Sequence, residues 1–240
     1  MEALTYTGII PARYASTRFP GKPLVLIDGV SMIERVYRQA LQSQYLKQVI
    51  VATDDDRIYD HVRNFGGEVV LTSPAHQSGT DRCAEVISKL QNKVDVVINI
   101  QGDEPFINPV QIDLLASCFK NNEVNIATLI KNITDESAIN NPNVVKVVTD
   151  FNGKALYFSR HAIPFNRSQS ESAVYYKHIG MYAYHSYVLM QISKLHPTPL
   201  EITESLEQLR WLQNGFSIQT ALTDIETIAV DTPQDLLNFK

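Results

Sequence analysis

The chain has 240 residues, of which 44% are hydrophobic and 20% charged, and its formal net charge is −5. This size allows one large α/β domain, or one domain with a smaller appendage, around a full hydrophobic core. The negative charge balance argues against a broad nucleic-acid-binding surface. No apolar run is long enough to span a membrane and no basic segment precedes an apolar one at the N-terminus, so a soluble cytoplasmic protein is expected. Cys83 and Cys118 lack metal-ligand spacing, and we interpret them as buried thiols in a reducing compartment.

The first half of the chain alternates apolar strands with amphipathic helices. Strands are predicted at residues 6–10, 49–53, 68–72 and 94–100, with a short extended piece at 25–29. Helices are predicted after the N-cap Ser31, around residues 58–65, and at 80–90 and 109–119. This rhythm is typical of βαβ units with a mainly parallel sheet. Right-handed crossovers would then bring the loops after all four strands to one edge of that sheet.

The second half has a different pattern and predicts a smaller, mixed α+β part. Strands are predicted at residues 126–133, 144–149, 154–158, 176–184 and 227–230, with an extended piece at 216–222. Asn152-Gly153 favours a tight hairpin between the second and third of these strands. A loop is predicted at residues 160–172. A short helix that ends at Leu195 follows the strand at 176–184, a second helix runs from Thr203 to about Asn214, and residues 231–233 begin the last helix.

The loop after the first strand carries Arg13, Arg18 and Lys22 and no carboxylate. Loops at the carboxyl ends of strands in open α/β sheets hold ligands, and Arg and Lys suit phosphate groups. The glycines of a P-loop or a Rossmann fingerprint are missing. The loop is therefore either a phosphate site or a solvated basic surface loop.

Two carboxylate positions could hold a metal. Asp103 and Glu104 follow the fourth strand beside Gly102, and Mg²⁺ is usually held by one or two carboxylates plus substrate phosphates. An acidic turn is the alternative. Asp231 could be a helix N-cap, but if Pro233 is the first helical residue then Thr232 is the cap and the Asp231 carboxylate is available.

Three further polar groups have both a functional and a structural interpretation. The segment from Ser78 through Gly79 to Arg82 begins a helix whose amides could bind an anion or a base edge, or it is an ordinary capped helix. Glu207 and Gln208 lie away from a leucine stripe, which usually means a solvated helix face. The six histidines do not show the spacing of metal ligands. His178, in the predicted strand 176–184, is the strongest candidate among them for a functional role.

Taken together, these motifs resemble the family of 3-deoxy-manno-octulosonate (Kdo) cytidylyltransferases, the CMP-Kdo synthetases. The resemblance covers essentially the whole chain, with the motifs in order. It rests on Ile10-Pro11-Ala12-Arg13-Tyr14-Ala15-Ser16-Thr17-Arg18, Pro20-Gly21-Lys22-Pro23-Leu24, Ser78-Gly79-Thr80-Asp81-Arg82, Gln101-Gly102-Asp103-Glu104-Pro105, His178-Ile179-Gly180, Leu206-Glu207-Gln208-Leu209-Arg210 and Val230-Asp231-Thr232-Pro233. Phe19, Gln77 and Cys83 depart mildly from the family pattern.

The resemblance implies a mostly parallel, Rossmann-like α/β sheet of the nucleotide-diphospho-sugar transferase type in one domain over residues 1–240. Residues 1–122 would be the nucleotide-binding half, and 123–240 the sugar-acid-binding half that builds most of a homodimer. It also implies that CMP passes from CTP to Kdo for lipopolysaccharide biosynthesis. The anomeric hydroxyl of Kdo would attack the α-phosphorus and pyrophosphate would leave, with magnesium in place of a separate protein base.

The same resemblance implies a role for each motif residue. Arg13, Arg18 and Lys22 would bind the triphosphate, Lys22 also taking part in catalysis. Ser78, Gly79 and Arg82 would line the cytidine pocket, and Asp103 and Asp231 would be the catalytic metal ligands. The residues around the sugar acid would be Gln101, Arg160, His178, Glu207 and Gln208.

Other functions stay open on the sequence. Another sugar acid, such as 8-amino-Kdo or sialic acid, could be the acceptor, although the sialic-acid enzyme typically has Gly-Gly-Ser-Lys in place of residues 14–17. A hexose-1-phosphate nucleotidylyltransferase would have a glycine-rich opening, which is missing. A non-catalytic nucleotide-binding regulator is the alternative from another functional class. The presence of Lys22, Asp103 and Asp231 argues against it.

Overall fold

The computed structural model describes residues 4–15, 19–168, 173–226, 229–230 and 232–239, with the backbone alone for 237–239. Within these ranges the chain forms eleven strands and eight α-helices. The strands are β1 (Tyr6–Ala12), β2 (Leu26–Ile27), β3 (Val30–Ser31), β4 (Leu46–Thr53), β5 (Glu68–Leu71), β6 (Val96–Asn99), β7 (Ile126–Asn132), β8 (Lys146–Thr149), β9 (Ala155–Ser159), β10 (Tyr176–His185) and β11 (Gln219–Leu222). The helices are α1 (Met32–Ala40), α2 (Asp56–Asn64), α3 (Gly79–Lys89), α4 (Pro109–Ser117), α5 (Glu136–Asn140), α6 (Ser186–Ile192), α7 (Pro199–Glu204) and α8 (Gln208–Gln213). Short 3₁₀ helices span Lys22–Leu24, Cys118–Lys120 and Pro233–Phe239.

Nine strands form one sheet that runs through both halves of the sequence. Seven of them lie in the order β11-β7-β10-β6-β1-β4-β5, while β8 pairs with β10 and β9 pairs with β8. Strands β5, β4, β1 and β6 are mutually parallel, and β10 runs antiparallel to both β6 and β7. The predicted mainly parallel α/β sheet with a smaller mixed part is confirmed. The proposed division near residue 122 stays a prediction.

Helices cover both faces of the sheet, so the fold has three layers. On one face, α1, α2 and α4 bury apolar residues such as Ile33, Ile58 and Leu115 against the strands. On the other face, α3, α6 and α8 bury Val86, Leu189 and Leu209. The central parallel strands β1, β4 and β6 are therefore buried on both sides over most of their length, as expected for parallel strands covered by crossover helices.

Several local sequence signals produce the expected structure. Ser31 caps α1 by accepting from the Glu34 amide, as predicted. The Asn152-Gly153 turn joins β8 and β9 as an antiparallel hairpin, with Gly153 at φ +76°. Both cysteines are free thiols, and Cys83 is buried as predicted, whereas Cys118 is only half-buried. The reducing compartment stays a prediction. None of the described helices is long and apolar enough to cross a membrane.

The prediction that a helix begins at Thr203 was wrong. Helix α7 begins earlier, at Pro199, because proline suits the first helical turn and the Thr198 amide donates to Glu201 Oε2 at 3.2 Å. It then ends at Ser205, whose φ of +52° interrupts the helical path before α8 begins at Gln208. This break brings Ser205 to the candidate site.

The last predicted strand and the helix after it have different outcomes. Residues 227 and 228 of predicted strand 227–230 lie outside the described residues, and 229–230 have no strand assignment. The final helix is a 3₁₀ helix that starts at Pro233. Thr232 precedes it and its backbone amide donates to Asp235 Oδ2 at 2.7 Å, as expected if Thr232 and not Asp231 caps this helix.

Candidate active site

A cavity of about 650 Å³ opens at the carboxyl ends of β1 and β6. After β1 the chain builds the sheet in one direction through β4 and β5, then returns to place β6 on the other side of β1. Ligands of open α/β sheets bind at such a switch point. The cavity-lining residues are Pro11, Ala12, Arg13, Lys22, Pro23, Gln77, Ser78, Gly79, Thr80, Asn99, Gln101, Gly102, Asp103, Gly180, Tyr182, Ser205 and Glu207.

Gly102 lets the loop after β6 lie directly against the end of β1. A Cβ atom at this position would lie 2.8 Å from the carbonyl oxygen of Pro11. Because a backbone oxygen cannot turn aside as a flexible side chain can, any other residue would push the two strand ends apart. The glycine therefore fixes the distance between the loop that carries Arg13 and the loop that carries Asp103.

The base of the basic loop is held closed by its own backbone. The Gly21 amide donates to the Tyr14 carbonyl oxygen at 2.9 Å, and Gly21 has φ +70°, which starts the 3₁₀ helix of Lys22. The Arg57 guanidinium lies 3.3 Å from the centre of the Tyr14 ring, a cation–π contact. Arg13 and Lys22 both line the cavity, and Arg18 lies outside the described residues.

Lys22 links three distant parts of the chain at the cavity. Its Nζ donates to Asp103 Oδ2 at 2.9 Å and to the Val230 carbonyl oxygen at 2.9 Å. The Val230 amide in turn donates to the Asp103 carbonyl oxygen at 2.9 Å. Asp231 lies outside the described residues, but the residue before it is thus fixed beside Asp103. The Asp103 carboxylate forms an ion pair with the Lys22 ammonium and so offsets one charge of the basic loop.

The Asp103 carboxylate beside Lys22 is a candidate ligand for a magnesium ion. Asp103 keeps 30% of its side chain exposed, and it supplies the hard oxygen ligands that Mg²⁺ prefers. Next to it, Glu104 is buried, and its Oε2 has no hydrogen-bond partner in the described part of the chain. Burial raises the pKa of Glu104 to about 7, with the Asp103 charge adding to the shift and Lys177 opposing it. The described residues contain no cluster of three or more His, Cys, Asp or Glu, so an ion here would also need ligands from a substrate.

The start of α3 forms another wall of the cavity. Ser78 is the N-cap of α3 and forms a capping box with Asp81, as in the structural interpretation of this segment. Ser78, Gly79 and Thr80 nevertheless all line the cavity, so the capping role leaves them available to a ligand, and their binding role stays a prediction. Gly79 lies close to Pro11, because an added Cβ would be 3.3 Å from Pro11 Cγ.

Arg82 lies behind this wall and does not line the cavity. Its guanidinium donates to Asp54 Oδ2 and to Thr72 Oγ1, each at 2.8 Å, and only 5% of its side chain is exposed. Asp54 follows β4 and Thr72 follows β5, so Arg82 connects α3 to the ends of two strands. The structure therefore gives Arg82 an anchoring position. A direct contact with cytidine stays a prediction.

Glu85 of α3 holds the preceding loop, which carries Gln77 and Ser78. Its Oε2 accepts from the Ser73 amide at 2.8 Å and contacts His76 Nε2, while Oε1 pairs with Lys89 at 2.6 Å. These contacts, with Lys89 the largest contributor, lower the pKa of Glu85 to about 2. The loop is thus fixed at both ends before it reaches the cavity.

The opposite wall comes from the loop after β6 and from a bulge in β10. Gln101 Nε2 donates to the Gly180 carbonyl oxygen at 2.5 Å, and both residues line the cavity. His178 is not among the lining residues but packs against Tyr182, which is, with ring centres 5.2 Å apart. Burial lowers the pKa of His178 to about 3, so its imidazole is neutral at physiological pH.

Glu207 lines the cavity and Gln208 lies behind it, so the solvated-face interpretation of these two residues was wrong. Thr80 Oγ1 donates to Glu207 Oε2 at 2.9 Å, and burial raises the pKa of Glu207. Gln208 is only 5% exposed, and its Nε2 has no partner among the described residues.

Arg160 contacts the backbone around Ser205. Its guanidinium donates to the carbonyl oxygens of Glu204 at 2.7 Å, Pro142 at 3.0 Å and Ser205 at 3.3 Å. Arg160 is absent from the cavity-lining residues, whereas Ser205 is present. Its placement next to the sugar acid stays a prediction.

Sequence reasoning missed several lining residues, notably Asn99 and Tyr182. Asn99 ends β6, and a buried polar residue at the carboxyl end of an apolar strand was a usable signal. Tyr182 reaches the cavity because the pairing of β10 with β7 is irregular at Gly180 and Met181. No local sequence pattern predicts this irregularity.

Comparison with known proteins agrees with this geometry. The cytidylyltransferase family matches residues 7–225. The 3-deoxy-manno-octulosonate cytidylyltransferase of Cytophaga hutchinsonii is 53% identical over 98% of this chain and 96% of its own length. The enzyme of the same name from Bacteroides thetaiotaomicron is 52% identical over 97% of this chain and 96% of its own length.

Solved structures give the same picture. A CMP:2-keto-3-deoxy-manno-octonic acid synthetase complexed with CTP is 44% identical, covers 98% of this chain and 96% of its own, and superposes with a TM-score of 0.92. The 4-diphosphocytidyl-2C-methyl-D-erythritol synthase of Anaerococcus prevotii is 13% identical, covers 98% and 96% of the two chains and has a TM-score of 0.64, which shows the fold alone. The sialic-acid enzyme and the non-catalytic regulator are not favoured by these relatives. The chain belongs to the cytidylyltransferase family, among the 3-deoxy-manno-octulosonate cytidylyltransferases.

Proposed function

We propose that the chain transfers CMP from CTP to 3-deoxy-D-manno-octulosonate, giving CMP-Kdo and pyrophosphate. The observation that carries this proposal is the cavity at the ends of β1 and β6, in a fold that matches a CTP-bound relative at 44% identity over nearly the whole chain. The anomeric hydroxyl of the sugar acid would attack the α-phosphorus of CTP, and the bond to pyrophosphate would break.

The basic side chains at the β1 edge would hold the triphosphate. Arg13 and Lys22 reach the cavity from the loop after β1, and Arg18 belongs to the same loop. Charge on the phosphate oxygens grows as pyrophosphate leaves, so a fixed ammonium such as that of Lys22 stabilises the transition state more than the ground state. Its position is fixed by Asp103 and the Val230 carbonyl group.

The start of α3 would recognise the cytosine base. Ser78 and Gly79 present a helix N-terminus to the cavity, where backbone amides and a hydroxyl can pair with a base edge. Arg82 would act from behind by fixing α3 to Asp54 and Thr72.

Magnesium dependence is part of the proposal. Asp103 and Asp231 would hold the ion together with phosphate oxygens, in agreement with the oxygen ligands at this edge of the cavity. The chemistry that magnesium supplies when bound is neutralisation of phosphate charge and a lower pKa of a nearby hydroxyl.

The wall formed by β10 and α8 would bind the sugar acid. Gln101 and Glu207 line the cavity there, and His178 and Gln208 lie directly behind that wall. To bind the carboxylate of the sugar acid, Arg160 would have to give up hydrogen bonds to the backbone carbonyl oxygens of Glu204 and Ser205.

A homodimer built through residues 123–240 is also proposed. Phe151, Leu156 and Leu222 are strongly exposed apolar residues that surround a second cavity of about 690 Å³ in this half. Apolar exposure of this kind supports a partner subunit. The product, an activated Kdo, would supply lipopolysaccharide biosynthesis from the cytoplasm, where CTP is available.

A pyrophosphate-release assay tests the proposed function. Turnover should require CTP and Kdo together and fall sharply with UTP, because a mismatched base edge leaves buried polar groups unpaired. Sialic acid should be a poor acceptor, and 8-amino-Kdo is the comparison that defines the natural substrate. Equal turnover with UTP, or none with any sugar acid, would contradict the proposal. Omission of magnesium and a sedimentation measurement test the metal and the dimer separately.

A further inference from the structure

The hydroxyl of Thr128 lies under the irregular part of β10. Thr128 is fully buried on β7, and Gly180 and Met181 fall between the pairs that β10 makes with β7 at Ile179 and Tyr182. Thr128 Oγ1 lies 3.1 Å from the Ile179 carbonyl oxygen and 2.9 Å from the Met181 carbonyl oxygen. Irregular pairing leaves ladder carbonyls without their usual amide partners. The single hydroxyl proton is therefore used on one of these two acceptors.

The same oxygen lies 3.0 Å from His178 Nε2. A neutral imidazole has one N–H donor and one acceptor nitrogen. Because the hydroxyl proton of Thr128 goes to a carbonyl oxygen, its lone pair must accept from His178, so Nε2 carries the proton. The other tautomer would place three acceptors around one hydroxyl proton.

The surroundings keep the His178 ring neutral and in place. The ring centre of His178 lies 5.1 Å from that of Phe158 and 5.2 Å from that of Tyr182. No hydrogen bond joins His178 Nδ1 to any residue that the structure describes. With Nε2 protonated, Nδ1 has a lone pair that no described residue uses.

We infer that Thr128 is a positioning residue that fixes His178 in the tautomer protonated at Nε2 and so makes Nδ1 a hydrogen-bond acceptor. Resting on the proposed function, in which the sugar acid binds at the wall that His178 supports, this assigns Nδ1 of His178 to a hydroxyl group of the substrate. The substrate carboxylate is excluded as its partner, because two acceptors repel. A carboxylate must then be bound by other groups of the site.

Nitrogen NMR of the histidine-labelled protein tests the tautomer without any substrate. The His178 ring resonances are identified by their loss in His178→Gln. We expect Nε2 to show the shift of a protonated ring nitrogen and Nδ1 that of an unprotonated one. Protonation at Nδ1 would overturn the inference. Because this measurement does not depend on turnover, its result is separate from that of the proposed function.

Substitution of Thr128 tests the cause. Thr128→Val removes the hydroxyl, so the Nε2-protonated form should lose its dominance and the KM for Kdo should rise about 2- to 12-fold, the effect of one neutral hydrogen bond. The KM for CTP should stay near that of the wild type. Thr128→Ser keeps the hydroxyl and should restore both readouts. An unchanged tautomer in Thr128→Val would refute the positioning role.

Thr220→Val is the matched control. Thr220 is also a buried threonine, paired with Thr128 where β11 lies beside β7, but its hydroxyl donates to the Gly153 carbonyl oxygen at 2.7 Å. It should leave the His178 resonances unchanged, and a change there would show that any buried hydroxyl has this effect. A shifted tautomer in Thr128→Val with an unchanged KM for Kdo would refute the assignment of His178 to a substrate hydroxyl.

Discussion

Arg82 offers the sharpest test of how the nucleotide side of the site is held. Arg82→Met removes two hydrogen bonds of the charged guanidinium, one to the Asp54 carboxylate and one to the Thr72 hydroxyl, from a side chain that is 5% exposed. Hydrogen bonds to charged groups contribute about 1.5–3 kcal/mol each, so the free energy of unfolding should fall by about 3–6 kcal/mol. Breaking a buried ion pair from one side costs a similar amount, about 3–5 kcal/mol. For a chain of this size, Tm should fall by roughly 6–24 °C.

The assay combines denaturation with the KM for CTP from pyrophosphate release. If Arg82 acts as an anchor, Asp54→Asn should raise the KM for CTP as Arg82→Met does, and the double variant should be little worse than either single one. Arg38→Met is the control, because Arg38 forms an exposed pair with Glu34 within α1 and should cost at most about 0.5 kcal/mol. An Arg82→Met protein with the Tm of the wild type and a strongly raised KM for CTP would refute the anchor and favour direct contact with the base.

Three more predictions concern the rest of the site. Asp103→Asn and Asp231→Asn should both fold and lose turnover by roughly 10²-fold or more, the effect of one lost electrostatic stabiliser; near-normal turnover of Asp231→Asn at limiting magnesium would return Asp231 to a structural role. Arg160→Ala should raise the KM for Kdo and leave the KM for CTP unchanged. A raised KM for CTP with an unchanged KM for Kdo would show that Arg160 does not lie at the sugar-acid subsite. Burial raises the pKa of Glu207, so ionisation of its carboxyl as the pH rises destabilises the folded protein. The Tm of Glu207→Gln should therefore exceed that of the wild type by more at pH about 8 than at pH about 5. The turnover of this variant should fall. An equal Tm difference at both pH values would mean that the Glu207 carboxyl is not perturbed by folding.

The sheet and the position of the site could be predicted because both follow from local patterns. Apolar runs such as 49–53 define strands, serine caps such as Ser31 and Ser78 define helix starts, and the carboxyl ends of parallel strands share one edge. The sequence therefore predicts that the basic loop and Asp103 lie at that edge. Their meeting in the Lys22–Asp103 ion pair follows from topology.

Other features could not be predicted because they depend on partners far along the chain. Glu207 resembles a solvated helix residue in sequence, but Thr80, 127 residues away, holds it at the cavity. Arg82 resembles a ligand residue in a binding motif, but Asp54, 28 residues earlier, turns it away from the cavity. In both cases the helical period gives the direction of a side chain, while its partner depends on which element packs there.

The position of Lys22 links catalysis to completion of the fold. Two of the three ammonium donors bind Asp103, 81 residues later, and the Val230 carbonyl oxygen, 208 residues later. The cation that would stabilise the leaving pyrophosphate is therefore placed only after β6 has joined β1 and the segment before Asp231 has reached the same edge. Because the Val230 amide also bonds the Asp103 backbone, that segment is attached at two points beside the proposed metal site. The elements that hold the charges of Lys22 and Asp103 in place are thus among the most distant in sequence, so loss of the C-terminal segment should disturb both residues even though they lie in the first half of the chain.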